Sequence, residues 1–308
     1  MDILSILIVV AGLCIFEIVS SIDNAIINAE ILTTMSERAR RWFLLWGLLF
    51  AVFVIRGILP WIIVWMATPQ LGPVGAFVAT FSSDPAVVSA IRASAPILLT
   101  GGGMFLIILF MHWIFLEDKN FGLIGERYIQ SKGIWFYAAV SVFLAGVVWL
   151  ALRYNPMMAF GAVIGSTAFF IVHGFRQNAE IQEMKMKEGN LSDLSKLFYL
   201  EVIDATFSID SVLGAFAFTL AVPLIIIGNG LGALVVRQLT MKGINRIQRY
   251  LFLKNGAMYS ILCLGIIMIA DSFSFPIPSW LSPLVTFGIV GFFLLKSVRC
   301  IPDKPAAD

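Results

Sequence analysis

Residues 3–33 read ILSILIVVAGLCIFEIVSSIDNAIINAEILT. This apolar run is longer than the roughly 20 residues a helix needs to cross a bilayer, yet Glu17 and Asp23 lie inside it. A carboxylate in the middle of a span costs roughly 2.5–3.5 kcal/mol on insertion scales. Acids that persist there do so because something at that depth needs negative charge. The rest of the 308 residues has the same character: 59% hydrophobic, 13% charged, mean hydropathy +0.93, where a soluble domain carries about 25% charged residues. The alternation that marks a transmembrane barrel is absent. The sequence predicts an all-α polytopic protein forming one transmembrane domain over 1–308, with the lipid bilayer as its surroundings.

Working outward, the sequence predicts nine spans, at 3–33, 42–66, 95–116, 134–152, 156–174, 197–221, 223–238, 255–271 and 281–296. The stretch 67–94, with Pro69, Gly72, Pro73, Gly75 and Pro85, is expected to be an outer loop or partly re-entrant. With the N-terminus outside and the C-terminus inside, all of the 21 basic residues except Arg56, Arg92 and Arg153 fall on the cytoplasmic side, as the positive-inside rule demands. The mixed-charge segment Arg176–Lys196 reads as a solvated cytoplasmic loop, and Arg237–Lys254 as a basic stretch at the anionic leaflet. The start, Met1-Asp2, has no basic n-region, so the first helix is expected to be retained rather than cleaved. Cys14, Cys263 and Cys300 have no metal spacing; a net charge of +2 carries no information about acidic partners, and no nucleic-acid partner is expected.

The first motif has a counterpart. Glu17-Ile-Val-Ser-Ser-Ile-Asp23-Asn24 is matched in the sixth span by Asp204-Ala-Thr-Phe-Ser-Ile-Asp210-Ser211. Gly47-Leu-Leu-Phe-Ala-Val-Phe-Val-Ile-Arg56 pairs with Gly228–Arg237, and Gly101-Gly-Gly-Met104 with Asn255-Gly-Ala-Met258, in the same order. The ordered set predicts two inverted three-helix units. The first repeat occupies 1–116 and the second 197–271, with linking helices over 134–174 and an additional span at 281–296. The symmetry fails at Glu201, whose mirror position is Cys14. Inverted repeats place ion sites near the midplane, where the units meet.

Antiparallel packing of the first and sixth spans is expected to gather Glu17, Asp23, Asp204 and Asp210. Glu17, Ser20, Ser21, Asn24 and Asn28 share one helical face; Glu201, Asp204, Ser208 and Ser211 form the facing stripe. Asp23 and Asp210 sit about 120° off those stripes. Either the helices unwind there, or two neighbouring sites exist. Asn229, between two glycines of the seventh span, is a further amide donor. Carboxylate, amide and hydroxyl oxygens suit hard cations such as Mn²⁺, Mg²⁺ or Ca²⁺. Several acids in one cavity need a cation or protons to neutralise them, which suggests metal exchanged against protons. His112 and His173 read as interface residues, and the run Gly101–Gly103 as a packing surface.

At these residues the chain resembles the TerC family of integral membrane proteins, in particular a bacterial and archaeal branch known only as a domain of unknown function. The carrying segments are EIVSSIDNA (17–25), GGMFL (102–106), YLEVIDATFSIDSVLGAF (199–216) and GAMYSI (256–261). Lys254-Asn255 departs from the acid and histidine expected in that branch. The resemblance implies a multi-pass protein of the bacterial inner membrane, similar to the LysE-type exporters, with manganese export or tellurium resistance as associated functions. It also implies Glu17, Asp23, Asn24, Asp204, Asp210 and Ser211 as ion-site residues, with manganese as the ion and export as the direction.

Three functions are open on the sequence: a secondary transporter exporting a divalent cation, a non-transporting membrane scaffold with a structural ion, and an intramembrane aspartyl protease. The last is disfavoured, because Ile22 and Ile209, not tyrosine, precede the second aspartates and no Gly-x-Gly-Asp is present. No catalytic residue and no resident cofactor are expected.

Overall fold

The computed structural model describes residues 2–47, 50, 56–67, 69–81, 85–188, 192–242 and 249–300; the side chains of Asp23, Arg56 and Arg92 lie outside that description. Every regular element among the described residues is helical. The chain runs through α1 (Ile3–Ser20), α2 (Ile22–Thr33), α3 (Glu37–Trp42), α4 (Arg56–Ala67), α5 (Gly72–Phe81), α6 (Pro85–Leu116) and α7 (Glu126–Gln130). It continues through α8 (Phe136–Ala151), α9 (Pro156–Glu188), α10 (Asp193–Ala215), α11 (Val222–Lys242), α12 (Leu253–Ser272) and α13 (Leu281–Arg299).

Among the described residues, 7 helices are long and apolar enough to cross a membrane: α1, α6, α8, α9, α11, α12 and α13. Two of the expected spans are not in that set. In the second, residues 48, 49 and 51–55 lie outside the description. The sixth corresponds to α10, 23 residues long, whose hydropathy is lowered by Asp193, Lys196, Glu201, Asp204 and Asp210. Leu4, Leu7, Val142 and Leu295 expose their side chains, as lipid-facing residues do. Exposed Trp135, Trp149 and Trp280 stand at the ends of α8 and α13, the depth at which amphipathic rings favour the interface.

α6 is the central helix, and small residues let its neighbours approach. A methyl on Gly101 would lie 2.9 Å from the Gly161 carbonyl oxygen of α9, and one on Gly103 would lie 2.9 Å from that of Gly265 in α12. Between helices in lipid the gain comes from dispersion at short range rather than from the hydrophobic effect. The glycine run is thus a packing surface on two sides. Met104, Phe105, Leu106 and Ile108, which follow it, are fully buried.

Two stretches expected to lie between spans contain helix. The stretch 67–94 is largely helical where described: a turn at Pro69–Leu71 leads into α5, and Pro85 opens α6. Pro73 and Pro85 sit in first helical turns, where a missing N–H costs nothing and the fixed φ suits the helix. Trp61 fastens α5 to α4, donating from Nε1 to the Pro73 carbonyl at 2.8 Å and meeting the Phe77 ring edge-on. The segment Arg176–Lys196, expected to be a solvated loop, is largely helical where described. α9 continues to Glu188 and α10 begins at Asp193, since no proline follows Pro156 to stop the longer helix.

Candidate functional site

The two acidic motifs are brought together by α2 and α10. Ser192 caps α10, its hydroxyl accepting from the Ser195 N–H at 3.3 Å. In the first turn, Asp193 accepts from the Ser36 hydroxyl, which itself caps α3. Lys196 donates to the Thr34 carbonyl at 3.2 Å and its hydroxyl at 2.9 Å. It thereby satisfies the open C-terminal end of α2, where a cation is also favoured by the helix dipole. From that anchor the helices run in opposite directions. Further along, Asn24 Nδ2 donates to Asp204 Oδ1 at 2.6 Å. Both side chains are buried, Asn24 3% and Asp204 6% exposed.

The first long span is interrupted at one residue. Ser21 adopts φ −93°, ψ 5° between α1 and α2, the sparsely occupied bridge region. The Ser20 hydroxyl donates back to the Glu17 carbonyl at 3.3 Å, a bond that competes with the helix ladder and bends it. Ser21 donates from Oγ to Glu17 Oε1 at 2.8 Å, so the carboxylate is held across the break. α10 has no corresponding interruption. A helix break, one of the two alternatives open for the motifs, therefore occurs in the first of them and not in the second, and it is confined to one residue.

α11 closes the third side. A methyl on Gly232 would lie 2.6 Å from Glu17 Cβ and 2.7 Å from the Cys14 carbonyl oxygen, and one on Gly228 2.5 Å from Leu13 Cβ. With no side chain at those positions, α11 packs directly on α1 over the fully buried Glu17. Asn229 donates to the Ser211 carbonyl at 3.4 Å, tying α11 to α10. On α10, Ser208 donates to the Asp204 carbonyl at 2.6 Å and Ser211 to that of Ser208 at 3.0 Å. The amide oxygens of Asn24, Asn28 and Asn229 are buried and accept no hydrogen bond among the described residues. Buried acceptors left bare in this way are costly unless something positive reaches them.

Among the described residues, Glu17, Asp204 and Asp210 do not form one metal-holding cluster. Among the described residues, no three His, Cys, Asp or Glu side chains stand together in a way that could hold a metal, and the Asp23 side chain lies outside the description. Asp210 has a basic partner from outside the two motifs: Arg176 Nη2 lies 2.5 Å from Asp210 Oδ2. This pair borders a cavity of about 590 Å³ between α2, α6, α9 and α12, also lined by Ser20, His112, Glu117, His173 and Lys254. The rings of His112 and His173 are 4.0 Å apart. His112 Nδ1 lies 3.4 Å from Glu117 Oε1, and Lys254 Nζ 2.9 Å from Glu117 Oε2. Burial alone would raise the Glu117 carboxyl, but the His112 hydrogen bond and the Lys254 charge outweigh it and hold its pKa at about 2.

Two other expectations change. Glu201 has a basic residue close by, Arg237: a methyl on Gly47 would strike the Glu201 carboxylate and lie 3.0 Å from Arg237 Nη2. Arg237, expected in a basic stretch at the anionic leaflet, has partners within the protein. It is buried, stacks 3.8 Å over Phe43 and donates to the Phe43 carbonyl at 3.1 Å. Asn255, one of the departures from the expected pattern, has a structural partner. Its amide donates to the Asn120 carbonyl at 3.0 Å and to Glu126. Glu126 also accepts from the Gly122 and Leu123 N–H groups and from Tyr259.

Sequence reasoning missed the Arg176 pair and the His112–Glu117–Lys254 chain. The available signal was the absence of any helix breaker between Pro156 and Gly189 apart from glycines, which keeps Arg176 on the same helix as His173 and one turn away from it.

A family model described as "Protein of unknown function (DUF475)" matches residues 22–301. No curated protein and no solved structure matches the chain.

Proposed function

We propose that this chain, which belongs to that family of unknown function, is a secondary transporter that carries a divalent cation, Mn²⁺, past the Asn24–Asp204 contact. The observation that carries this reading is that contact itself. A 2.6 Å bond joins the two motifs across 180 residues, and the Asn24 amide oxygen is itself buried and accepts no hydrogen bond among the described residues. An asparagine side chain carries a donor and an acceptor on one planar group. Asn24 offers its NH₂ to Asp204. Rotation of the amide would present its oxygen to a cation held by Asp204, with Glu17, Asn28 and Asn229 as neighbouring oxygen donors and Ser20, Ser21, Ser208 and Ser211 as hydroxyl support. Oxygen donors of this kind suit Mn²⁺, Mg²⁺ and Ca²⁺.

The reading includes nine spans, with the two three-helix units inverted about the site. It places the C-terminus inside and the protein in the bacterial inner membrane. Opposed contacts along α2 and α10 support the inverted packing, and the kink at Ser21 supplies a place for α1 and α2 to move relative to one another. Manganese, export and exchange against protons follow from the resemblance to the TerC family. Catalysis has no part in it; the pairing of Asp210 with Arg176 argues against an aspartyl dyad. The test is ion flux in proteoliposomes, comparing Mn²⁺, Mg²⁺, Ca²⁺ and Zn²⁺ with and without a pH gradient. Saturable Mn²⁺ flux is expected; binding without flux in any condition would assign the protein to the scaffold class instead.

A further inference from the structure

Asp210 presents an unusual half-made site. It is 8% exposed, one carboxylate oxygen is held by Arg176 at 2.5 Å, and the other, Oδ1, is buried and accepts no hydrogen bond among the described residues. Asp210 lines the 590 Å³ cavity, which extends from Ser20 of the first motif to Glu117 and Asp118, just past the last residue of α6. A buried carboxylate with one bare oxygen, on a residue that lines a polar cavity, is half of a cation position, and Arg176 holds its other oxygen.

We infer that this cavity is the access vestibule to the Asn24–Asp204 site, and that Arg176 is a tethered cation which occupies Asp210 until an arriving divalent cation displaces it. The inference rests on the transport reading and adds a second station to it. Three features support displacement rather than a permanent pair. The arginine head is carried on a flexible stem that can relocate while its backbone stays fixed. Asp118, exposed and lining the same cavity, is an acid at the open end towards which that head can turn. And a monovalent guanidinium satisfies only one of the two Asp210 oxygens here, where a divalent ion can engage both. The exchange keeps the buried carboxylate neutralised at each stage, which matters because leaving one member of a buried pair alone is the costly state.

The test is Mn²⁺ binding to the purified full-length protein, followed by the loss of the free-ion electron paramagnetic resonance signal. The variants are Arg176→Gln, Arg176→Lys, Asp210→Asn, Asp204→Asn and the double variant Arg176→Gln/Asp210→Asn. Removing the competitor should tighten binding by about tenfold in Arg176→Gln, a difference of about 1.4 kcal/mol, with the gain abolished in the double variant. Arg176→Lys, which keeps the charge but loses the planar fork, should show a smaller gain. It also serves as the readout should Arg176→Gln not fold. Unchanged or weaker binding in the folded Arg176 variants, or a gain that persists without Asp210, overturns the inference. If binding is lost in Asp204→Asn but indifferent to Arg176, the vestibule fails while the transport reading stands. No Mn²⁺ binding by the wild-type protein sinks both.

Discussion

Asn24 and Asp204 lie 180 positions apart in sequence and 2.6 Å apart in space, amide nitrogen to carboxylate oxygen. Each belongs to one of the two acidic motifs, and each is on a helix whose far end is fixed by a second contact, Lys196 on the Thr34 carbonyl and hydroxyl. The pair is therefore held in register by the packing of α2 on α10. Asn24→Ala removes this donor from a buried carboxylate and should lower stability by about 1–3 kcal/mol. Asp204→Asn, which keeps an acceptor for the Asn24 amide, should cost less. Thermal unfolding in detergent checks both; equal losses would mean that the contact contributes little.

Glycine at 232 is required by close approach rather than by backbone conformation. Gly232→Ala places a methyl 2.6 Å from Glu17 Cβ and 2.7 Å from the Cys14 carbonyl oxygen, and should destabilise by about 1–3 kcal/mol, the usual cost of overpacking. At Gly146, in α8, a methyl would meet nothing within 4 Å. Gly146→Ala should instead be neutral or gain about 0.5–1 kcal/mol from helix propensity. Unfolding of the two variants side by side reads the contrast.

Much of this is legible in the sequence. The membrane class follows from composition, and the motifs that meet at Asn24–Asp204 are visible as a pair. The glycine run 101–103 is identifiable as a packing surface. What fails has a common physical origin. Side chains at helix ends, such as Lys196 and Arg237, read as solvated charge, but they satisfy carbonyls of other helices. Arg176 reads as a loop residue only if polarity is taken to end its helix. Polarity alone ends a membrane span, not a helix. Prolines in the 67–94 stretch read as breakers, although at first-turn positions they begin helices. The Asp23 side chain falls outside the description, so its place in the site is not part of the geometry.

Glu117 gives the fold a predictable acid dependence. Its pKa is held at about 2, below the ordinary carboxylate value of 4.5, by His112 and Lys254 against the opposing effect of burial. A group with a depressed folded pKa contributes stability that is fully present above its unfolded value and is lost as pH falls through the folded one. The loss should thus run from about pH 4.5 down to about pH 2. The side chain is 30% exposed, so solvent screening reduces the contribution to about 1–2 kcal/mol. Glu117→Gln should flatten that part of the pH–stability curve. A variant curve parallel to that of the wild type over this window would contradict it.

Glu126 should act as the fastener of the segment between α6 and α8. It is 1% exposed and accepts from two backbone N–H groups, Asn255 and Tyr259. Glu126→Ala leaves several buried donors unmet and should cost on the order of 3 kcal/mol. Limited proteolysis should then cut within residues 117–125, which the intact contacts protect. Asn255→Ala, which removes one donor, should show the same cleavage more weakly. Resistance of both variants to cleavage would show that the segment is held by other contacts.

The central claim, that a cation moves through the Asn24–Asp204 site, is tested most directly by Mn²⁺ flux in proteoliposomes containing either the wild-type protein or Asp204→Asn. Saturable flux with the wild-type protein, abolished in a variant that still inserts and unfolds cooperatively, is the predicted result. Equal flux from both, or Mn²⁺ that binds the wild-type protein and never crosses, would contradict it.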